Sequence, residues 1–216
     1  MARDFQRLCY LTLCIFGPNE HLDLGLPPGR HLYLAPHAPV KLHPSADTLL
    51  ARIAAADPAA CVVMFEDGAP ALSARLRARM RRCFDQHGVD LERHLVWLPR
   101  ATPERFRAVL RASDVLLDTP GFSGGNTSLD AIAQGLPLIA LSGSQMRSRQ
   151  SAAMLRLCGV PELVAGSADD YVALALRVAH DADWRQALRQ RLDQGAAALF
   201  DDAAPLAALT QVLGDW

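Results

Sequence analysis

The run VLLDTPGFSGGNTSLDAIAQGLPLIAL, residues 115–141, reads as strand, glycine-rich turn, helix and strand. VLLDT (115–119) and PLIAL (137–141) are short and continuously apolar, as expected of strands buried on both faces of a parallel sheet. Between them a helix is predicted from about Asn126 to Gln134, with Gly135 as its stop. Two such strands joined through a helix form a right-handed crossover unit.

The same alternation extends in both directions. HLYLA (31–35), CVVMF (61–65), HLVWLP (94–99) and a short LVAG (163–166) read as strands. Helical spacing marks Ser45–Ala56, Pro70–Gln86, the segment 102–113, Met146–Leu157 with Gly159 as its stop, and most of 168–214. Thr102 is the expected N-cap of the third of these, followed by Pro103 at the first position. Five arginines between Pro70 and Gln86 are expected to line a solvated face. The expected fold is α/β, a doubly wound parallel sheet of Rossmann-like type, with ligands bound outside the carboxyl ends of the strands. Residues 1–25 do not fit the alternation and read as a cap or the remnant of a preceding lobe. Residues 26–200 form the Rossmann-like domain, and 201–216 a C-terminal helix.

Composition narrows the function. The 216 residues carry 22 basic and 23 acidic side chains, a net charge of −1, and half are hydrophobic. A nucleic-acid binder would be strongly basic, and a chain this long needs neither disulfide nor metal to hold a core. The five cysteines, Cys9, Cys14, Cys61, Cys83 and Cys158, form no C-x-x-C pair, which fits a reducing, cytoplasmic compartment. Cys61 and Cys158 are expected to be small core residues. The apolar run LCYLTLCIF (8–16) is too short to span a bilayer and follows Asp4. It reads as a buried strand or helix, or as part of a neighbouring domain. No membrane partner is expected. Only one of the 22 basic residues is a lysine, Lys41. Compositional drift explains the arginines. Position 41, in the loop after the first strand, is expected to need a compact ammonium rather than a planar guanidinium.

The chemistry concentrates after residue 117. Gly121, Gly124 and Gly125 let the backbone turn tightly and approach a ligand. Asn126, Thr127 and Ser128 stand at a helix start, where free N–H groups and the dipole favour an anion. Asp130, four residues after Asn126 on the same helix face, can accept hydrogen bonds from ribose hydroxyls. The spacing is neither G-x-G-x-x-G nor G-x-x-x-x-G-K-[ST], so neither a dinucleotide dehydrogenase nor a P-loop ATPase is indicated. An ordinary glycine-rich turn capped by Asn or Ser is the competing reading. His37 and His43 flank Lys41 and are placed to line the cleft, His37 as a candidate substrate-binding residue, with a plain polar contact as the competing reading. His21, His31, His87, His94 and His180 show no ligand spacing, and no metal site is expected.

In these residues the chain resembles the C-terminal half of the catalytic region of the O-linked N-acetylglucosamine transferases, including the SPINDLY group and bacterial tetratricopeptide-linked relatives. The resemblance runs from about Gly25 to Leu192. It is carried in order by YLAPHAPVKLHP, HLVWLPRATPERF, D-T-P…G-G-N-T-S, G-L-P-L-I-A-L, R-S-R and CGVPELVAGSADDYVALALRVAHD. It implies the donor lobe of a glycosyltransferase of the B-type fold, inverting and metal-independent, without a cofactor, moving a sugar from UDP-GlcNAc to a protein acceptor. Lys41 then matches the lysine that contacts the diphosphate and stabilises the leaving group. Gly124, Gly125, Asn126 and Thr127 match the diphosphate-holding loop and helix start, and Asp130 the acidic residue on the ribose. Ala101 and Phe106 match uracil contacts, plain helix packing being the alternative for Phe106. Arg149 matches an arginine on the next helix, with a structural ion pair as its expected role.

Two departures stand out. Ser142-Gly143-Ser144 replaces a P-G-E element, and His37 or Ala38 stands where a glutamine is common. The chain is expected to be the donor half only, binding UDP but transferring poorly alone, with a separate N-terminal acceptor lobe or tetratricopeptide module as partner. A non-catalytic nucleotide-sugar-binding or partner module, and a sugar-nucleotide epimerase lobe, are the alternative readings.

Overall fold

The structure, a computed structural model, describes residues 23–200 and 202–214. The expected cap at 1–25, including the 8–16 run, Cys9, Cys14 and His21, lies almost wholly outside them. Six strands, β1 (His31–Leu34), β2 (Ala60–Phe65), β3 (Leu95–Leu98), β4 (Val115–Leu117), β5 (Leu138–Leu141) and β6 (Val164–Ala165), form one sheet in the order β3-β2-β1-β4-β5-β6. Every pairing is parallel, with Leu34 opposite Val63 on one side and Leu116 on the other. The strands are apolar on both faces because helices cover both faces: Tyr33, Val62, Val63, Leu116, Leu138 and Ile139 are all inaccessible to solvent.

The helices are α1 (Pro44–Ala56), α2 (Pro70–Gln86), the short α3 (Leu91–His94), α4 (Pro103–Ala112), α5 (Asn126–Ala133), α6 (Gln150–Leu157), α7 (Ala168–His180), α8 (Ala182–Gly195), α9 (Ala197–Phe200) and α10 (Ala204–Gly214). The expected caps are in place. Thr102 Oγ1 accepts from the Arg105 amide at 3.3 Å with Pro103 first in α4, and Gly135 and Gly159 adopt positive φ after α5 and α6. Cys61 and Cys158 are buried as expected.

The differences are local. Met146–Leu157 is not one helix: Met146–Ser148 is a 3-10 turn and α6 begins only at Gln150. The carbonyls of Arg147 and Ser148 are taken by the amides of Ser123 and Gly143, at 2.8 and 3.0 Å, so they cannot accept from the next helical turn. β3 starts one residue later than predicted because Asp90 caps the short α3, accepting from the Glu92 amide at 3.0 Å. The long helical pattern after 168 breaks at Asp181, whose side chain caps α8. Arg79 does not belong to a solvated face. Its guanidinium bonds both oxygens of the buried Asp47 carboxylate, at 2.6 and 3.0 Å, and the Leu42 carbonyl at 2.8 Å, clamping α2 to α1 and to the loop after β1. By length and composition, Ala182–Gly214 is a helical run that could cross a membrane. α8, however, buries Leu188 and Leu192 in the domain core, whereas α10 leaves Leu206, Leu209, Val212 and Leu213 exposed.

The connections after β1 and β4 diverge to opposite halves of the sheet. β1 leads to β2 on one side and β4 to β5 on the other, and the two neighbouring strand ends open a crevice between them. This is the topological switch point at which doubly wound sheets bind ligands.

Candidate functional site

Three segments meet at that crevice: the loop after β1, the glycine-rich loop after β4, and the turn after β5. The first carries His37 and, in a 3-10 turn (Pro39–Lys41), Lys41. Lys41 Nζ lies 4.7 Å from the centre of the Phe122 ring in the glycine-rich loop. A cation over an aromatic face holds its ammonium at the crevice without neutralising it. Among the described residues no carboxylate pairs with Lys41.

The glycine-rich loop is held from beneath. Asp118, at the end of β4, is buried; its Oδ1 accepts from the Gly124 amide at 2.7 Å, and its carbonyl accepts from the Tyr171 hydroxyl of α7 at 2.8 Å. Burial, with the nearby Asp118 charge adding to it, pushes the Tyr171 phenol well above its usual range, so it stays a donor. Ser123, Ser128 and Ser151 form a buried hydroxyl cluster, with Ser123 Oγ donating to Ser151 Oγ at 2.8 Å and Ser128 and Ser151 2.7 Å apart. Ser123 Oγ also accepts from the Ser151 amide at 2.9 Å, tying this loop to α6.

Gly124 leaves no room for a side chain: a Cβ there would lie 2.2 Å from Ser128 Oγ and 3.2 Å from His37 Nε2. α5 then opens with Gly125 as its N-cap and no side-chain cap, unlike the Asn- or Ser-capped turn considered above. The Gly125 carbonyl accepts from the Ser128 and Leu129 amides, so Asn126 and Thr127 present the uncapped N–H groups of the helix start. Asn126 is exposed and Thr127 half-buried at this rim. Such an end attracts an anion through both its donors and its dipole.

His37 is almost fully buried against this loop. Its Nε2 is 3.2 Å from Asp118 Oδ1, close enough for attraction but not aligned for a hydrogen bond, and among the described residues neither ring nitrogen has a hydrogen-bond partner. Thr119 Oγ1, on the same loop, is also buried without one. Orphaned polar atoms are costly, about 1–3 kcal/mol each, and their collection in one crevice is characteristic of a functional site.

The other expected residues stand on the elements that follow β3, β4 and β5. Asp130 is on the exposed side of α5, where desolvation raises its carboxyl above the ordinary range while Arg107 of α4 opposes the rise. Ala101 is half-buried between β3 and α4. Phe106 packs on Phe65 with ring centres 5.6 Å apart and is only partly buried, so it has a packing role and still borders the rim. Arg149 departs from expectation twice. It precedes α6 rather than lying on it, and among the described residues no carboxylate pairs with it. Its exposed side chain is therefore not a structural ion pair. Gln150 Oε1, 3.4 Å from where a Gly125 Cβ would stand, comes closer to the helix start.

Asp118, Ser123, Ser151 and Tyr171 carry no expectation from the sequence, and Ser128, expected only at the helix start, turns its hydroxyl inward to Ser151. Asp118 had a signal, as a polar residue closing an apolar strand. The two serines and the tyrosine had none, since their roles arise only from packing.

The chain itself is similar to known proteins. The model of glycosyl transferase family 41 matches residues 40–204, from Val40 in the lysine turn to Ala204 at the start of α10. The chain belongs to glycosyl transferase family 41. It is 32% identical over 124 residues to a UDP-N-acetylglucosamine–peptide N-acetylglucosaminyltransferase of Caenorhabditis elegans, covering 56% of this chain and 11% of that protein. It is 33% identical over 79 residues to a probable SPINDLY enzyme of Hordeum vulgare, covering 37% of this chain and 8% of that one. An O-GlcNAc transferase mutant of Thermobaculum terrenum superposes with TM-score 0.75 at 28% identity, covering 91% of this chain and 38% of that one. The chain thus spans about a tenth of the curated relatives' length. Sugar-nucleotide epimerases share the fold alone: the enzyme of Neisseria meningitidis gives TM-score 0.58 at 13% identity. The family-41 chain is a glycosyltransferase domain of the B-type fold, as the resemblance implied.

Proposed function

We propose that this domain binds the UDP-sugar, UDP-GlcNAc first among donors, in a transfer of the sugar to a protein acceptor. The observation that carries the reading is the convergence of Lys41, the sterically closed Gly124 turn and the uncapped start of α5 on the crevice between β1 and β4. Negative charge builds on the diphosphate as the sugar–oxygen bond breaks. Lys41 and the amides of Asn126 and Thr127 are placed to take it, as fixed dipoles and a fixed charge that need no reorganisation. Asp130 serves the ribose, the Ala101–Phe106 rim the uracil, and Arg149 with Gln150 the sugar side of the diphosphate. His37 supports Gly124 from beneath rather than touching the donor.

In this proposal no metal takes part at the diphosphate, the lysine and helix start supplying the positive field. The acceptor groups come from a second lobe, supplied by a longer chain or a separate partner, and the domain alone binds UDP but transfers poorly. A cytoplasmic setting belongs to the same reading. Calorimetry of UDP binding with the Lys41→Ala variant tests it. Loss of one charge-assisted contact, about 1.5–3 kcal/mol, corresponds to weakening of roughly 10–100-fold. Lys41→Arg should not restore binding, because a guanidinium is planar and larger. Unchanged UDP affinity in Lys41→Ala would refute the assignment.

A further inference from the structure

At the opposite end of the sheet, two histidines and an aspartate that the sequence spacing separates widely come together. His31 opens β1, Asp57 precedes β2, and His180 closes α7. His31 Nδ1 is 2.8 Å and His180 Nε2 3.1 Å from the same atom, Asp57 Oδ2, and the three atoms lie within 4.8 Å of one another. The expectation that His31 and His180 have no ligand partners holds along the chain but not in space.

We propose that His31, Asp57 and His180 form a binding site for a divalent transition-metal ion of the zinc class. Two imidazole nitrogens and one carboxylate oxygen are a donor set for such ions. Bonds of about 2.0–2.1 Å in a tetrahedral shell place neighbouring ligand atoms about 3.3 Å apart, and the two His–Asp separations fall just inside that, so small outward movements admit an ion. The supporting shell is already built. The Tyr33 hydroxyl, inaccessible to solvent, donates to Asp57 Oδ2 at 2.9 Å, and the Ala59 amide donates to Oδ1 at 2.9 Å, fixing the carboxylate as outer-shell donors do at metal sites. Three donors therefore crowd Oδ2. An ion would replace two of them and leave Tyr33 in place.

The histidine side chains are 37% and 46% exposed while Asp57 is 3% exposed, so one side opens to solvent for entry and for a fourth ligand, water. Asp114 and Arg185, which act on Tyr33, are paired with each other at 3.3 Å, and Arg30, next to His31, donates to the Ala59 and Ala60 carbonyls. Arg185 is further held by the Val178 and Ala179 carbonyls at the end of α7. An ion here would tie α7 to the amino-terminal edge of the sheet. Three residue steps of β1, about 10 Å, separate His31 from the strand's carboxyl end, so the ion plays no part at the diphosphate crevice.

The test is zinc titration of the chelator-treated full chain in competition with a chromophoric chelator. One equivalent should bind with a Kd in the micromolar range or tighter. His31→Ala and His180→Ala should each weaken it at least tenfold, and the double variant should bind no better than background. Saturating zinc, at a hundred times Kd, should raise the thermal midpoint of the wild type by about 5–10 °C and leave that of the double variant unchanged. His180→Ala changes an exposed helix-terminal side chain, and UDP affinity in it should equal the wild type, showing an intact fold. Cys83→Ser controls for the half-buried thiol and should not change the stoichiometry. One equivalent bound equally well by the double variant, or no equivalent bound by the wild type, overturns the site. Neither result bears on UDP binding, which is measured separately.

Discussion

Gly124→Ala is the sharpest probe of how the donor crevice is built. The backbone at Gly124 does not need positive φ, so the cost is one of space alone. The added methyl would stand 2.2 Å from Ser128 Oγ, with His37 Nε2 at 3.2 Å and Asp118 Oδ1 at 3.4 Å. Ser128 is inaccessible to solvent, and its hydroxyl is bound to Ser151 at 2.7 Å. It can escape only by giving up that bond, about 0.5–1.5 kcal/mol. Overpacking against the equally buried His37 and Asp118 adds roughly 1–3 kcal/mol. The expected loss is therefore about 2–4 kcal/mol, or a fall of roughly 5–15 °C in thermal midpoint for a domain of this size. UDP affinity should fall with it, because the Gly124 amide leaves Asp118 and the start of α5 shifts. Ser128→Ala removes the clashing atom. In a double-mutant cycle followed by denaturant unfolding, Gly124→Ala should cost about 0.5–1.5 kcal/mol less in the Ser128→Ala background than in the wild type. Additive costs, or a Gly124→Ala variant as stable as the wild type, would show that the loop is not packed as described.

Other outcomes follow from the same geometry. Asp130→Asn should weaken UDP binding by roughly 10–100-fold, as loss of a charged hydrogen-bond acceptor does. It should leave stability equal or slightly higher, since the folded environment already disfavours this charge. The pH dependence carries the same sign. A carboxyl whose folded pKa is raised favours the folded state more as pH falls through that pKa, whereas UDP affinity should drop over the same interval, above the ordinary carboxylate range, in the wild type and not in Asp130→Asn. Arg79→Ala strands the buried Asp47 carboxylate and should cost roughly 2–3 kcal/mol in denaturant unfolding, less than for a fully buried pair because the guanidinium is a third exposed. Gly195→Ala would put a Cβ 2.2 Å from the Cys158 carbonyl oxygen. Since backbone rather than a side chain is in the way, α8 must move off the end of α6, and a loss of about 3 kcal/mol by thermal unfolding is expected.

Much of the architecture was legible along the chain because it follows from local pattern. Continuous apolar runs announced strands buried on both faces. Thr102, Gly135 and Gly159 marked ends of helices, and the glycines before Asn126 marked a turn packed too tightly at Gly124 for a side chain. The solitary lysine among arginines stands at the crevice, its Nζ 4.7 Å from the centre of the Phe122 ring. Where local pattern and tertiary contact disagreed, contact won. Met146–Ser148 has helical spacing, but the Arg147 carbonyl is claimed by Ser123 of the glycine-rich loop and the Ser148 carbonyl by Gly143 of the turn after β5. Arg79 looks like its neighbours in sequence, yet only it reaches Asp47.

What the amino-acid sequence alone determined is the sheet's strands, its parallel character, and the loops that carry Lys41 and the glycine-rich turn, since each depends on residues near one another in the chain. The tertiary structure alone decided which distant groups meet. It put His37 and Asp118 beneath Gly124, joined Ser123, Ser128 and Ser151 into one hydroxyl cluster, and, among the described residues, gave Arg149 no carboxylate partner. It also brought His31, Asp57 and His180 to a single point from three separate elements. The reason is physical. Periodicity and capping report backbone conformation, whereas side-chain constellations depend on strand order and crossover packing, which place residues more than a hundred positions apart within hydrogen-bond distance.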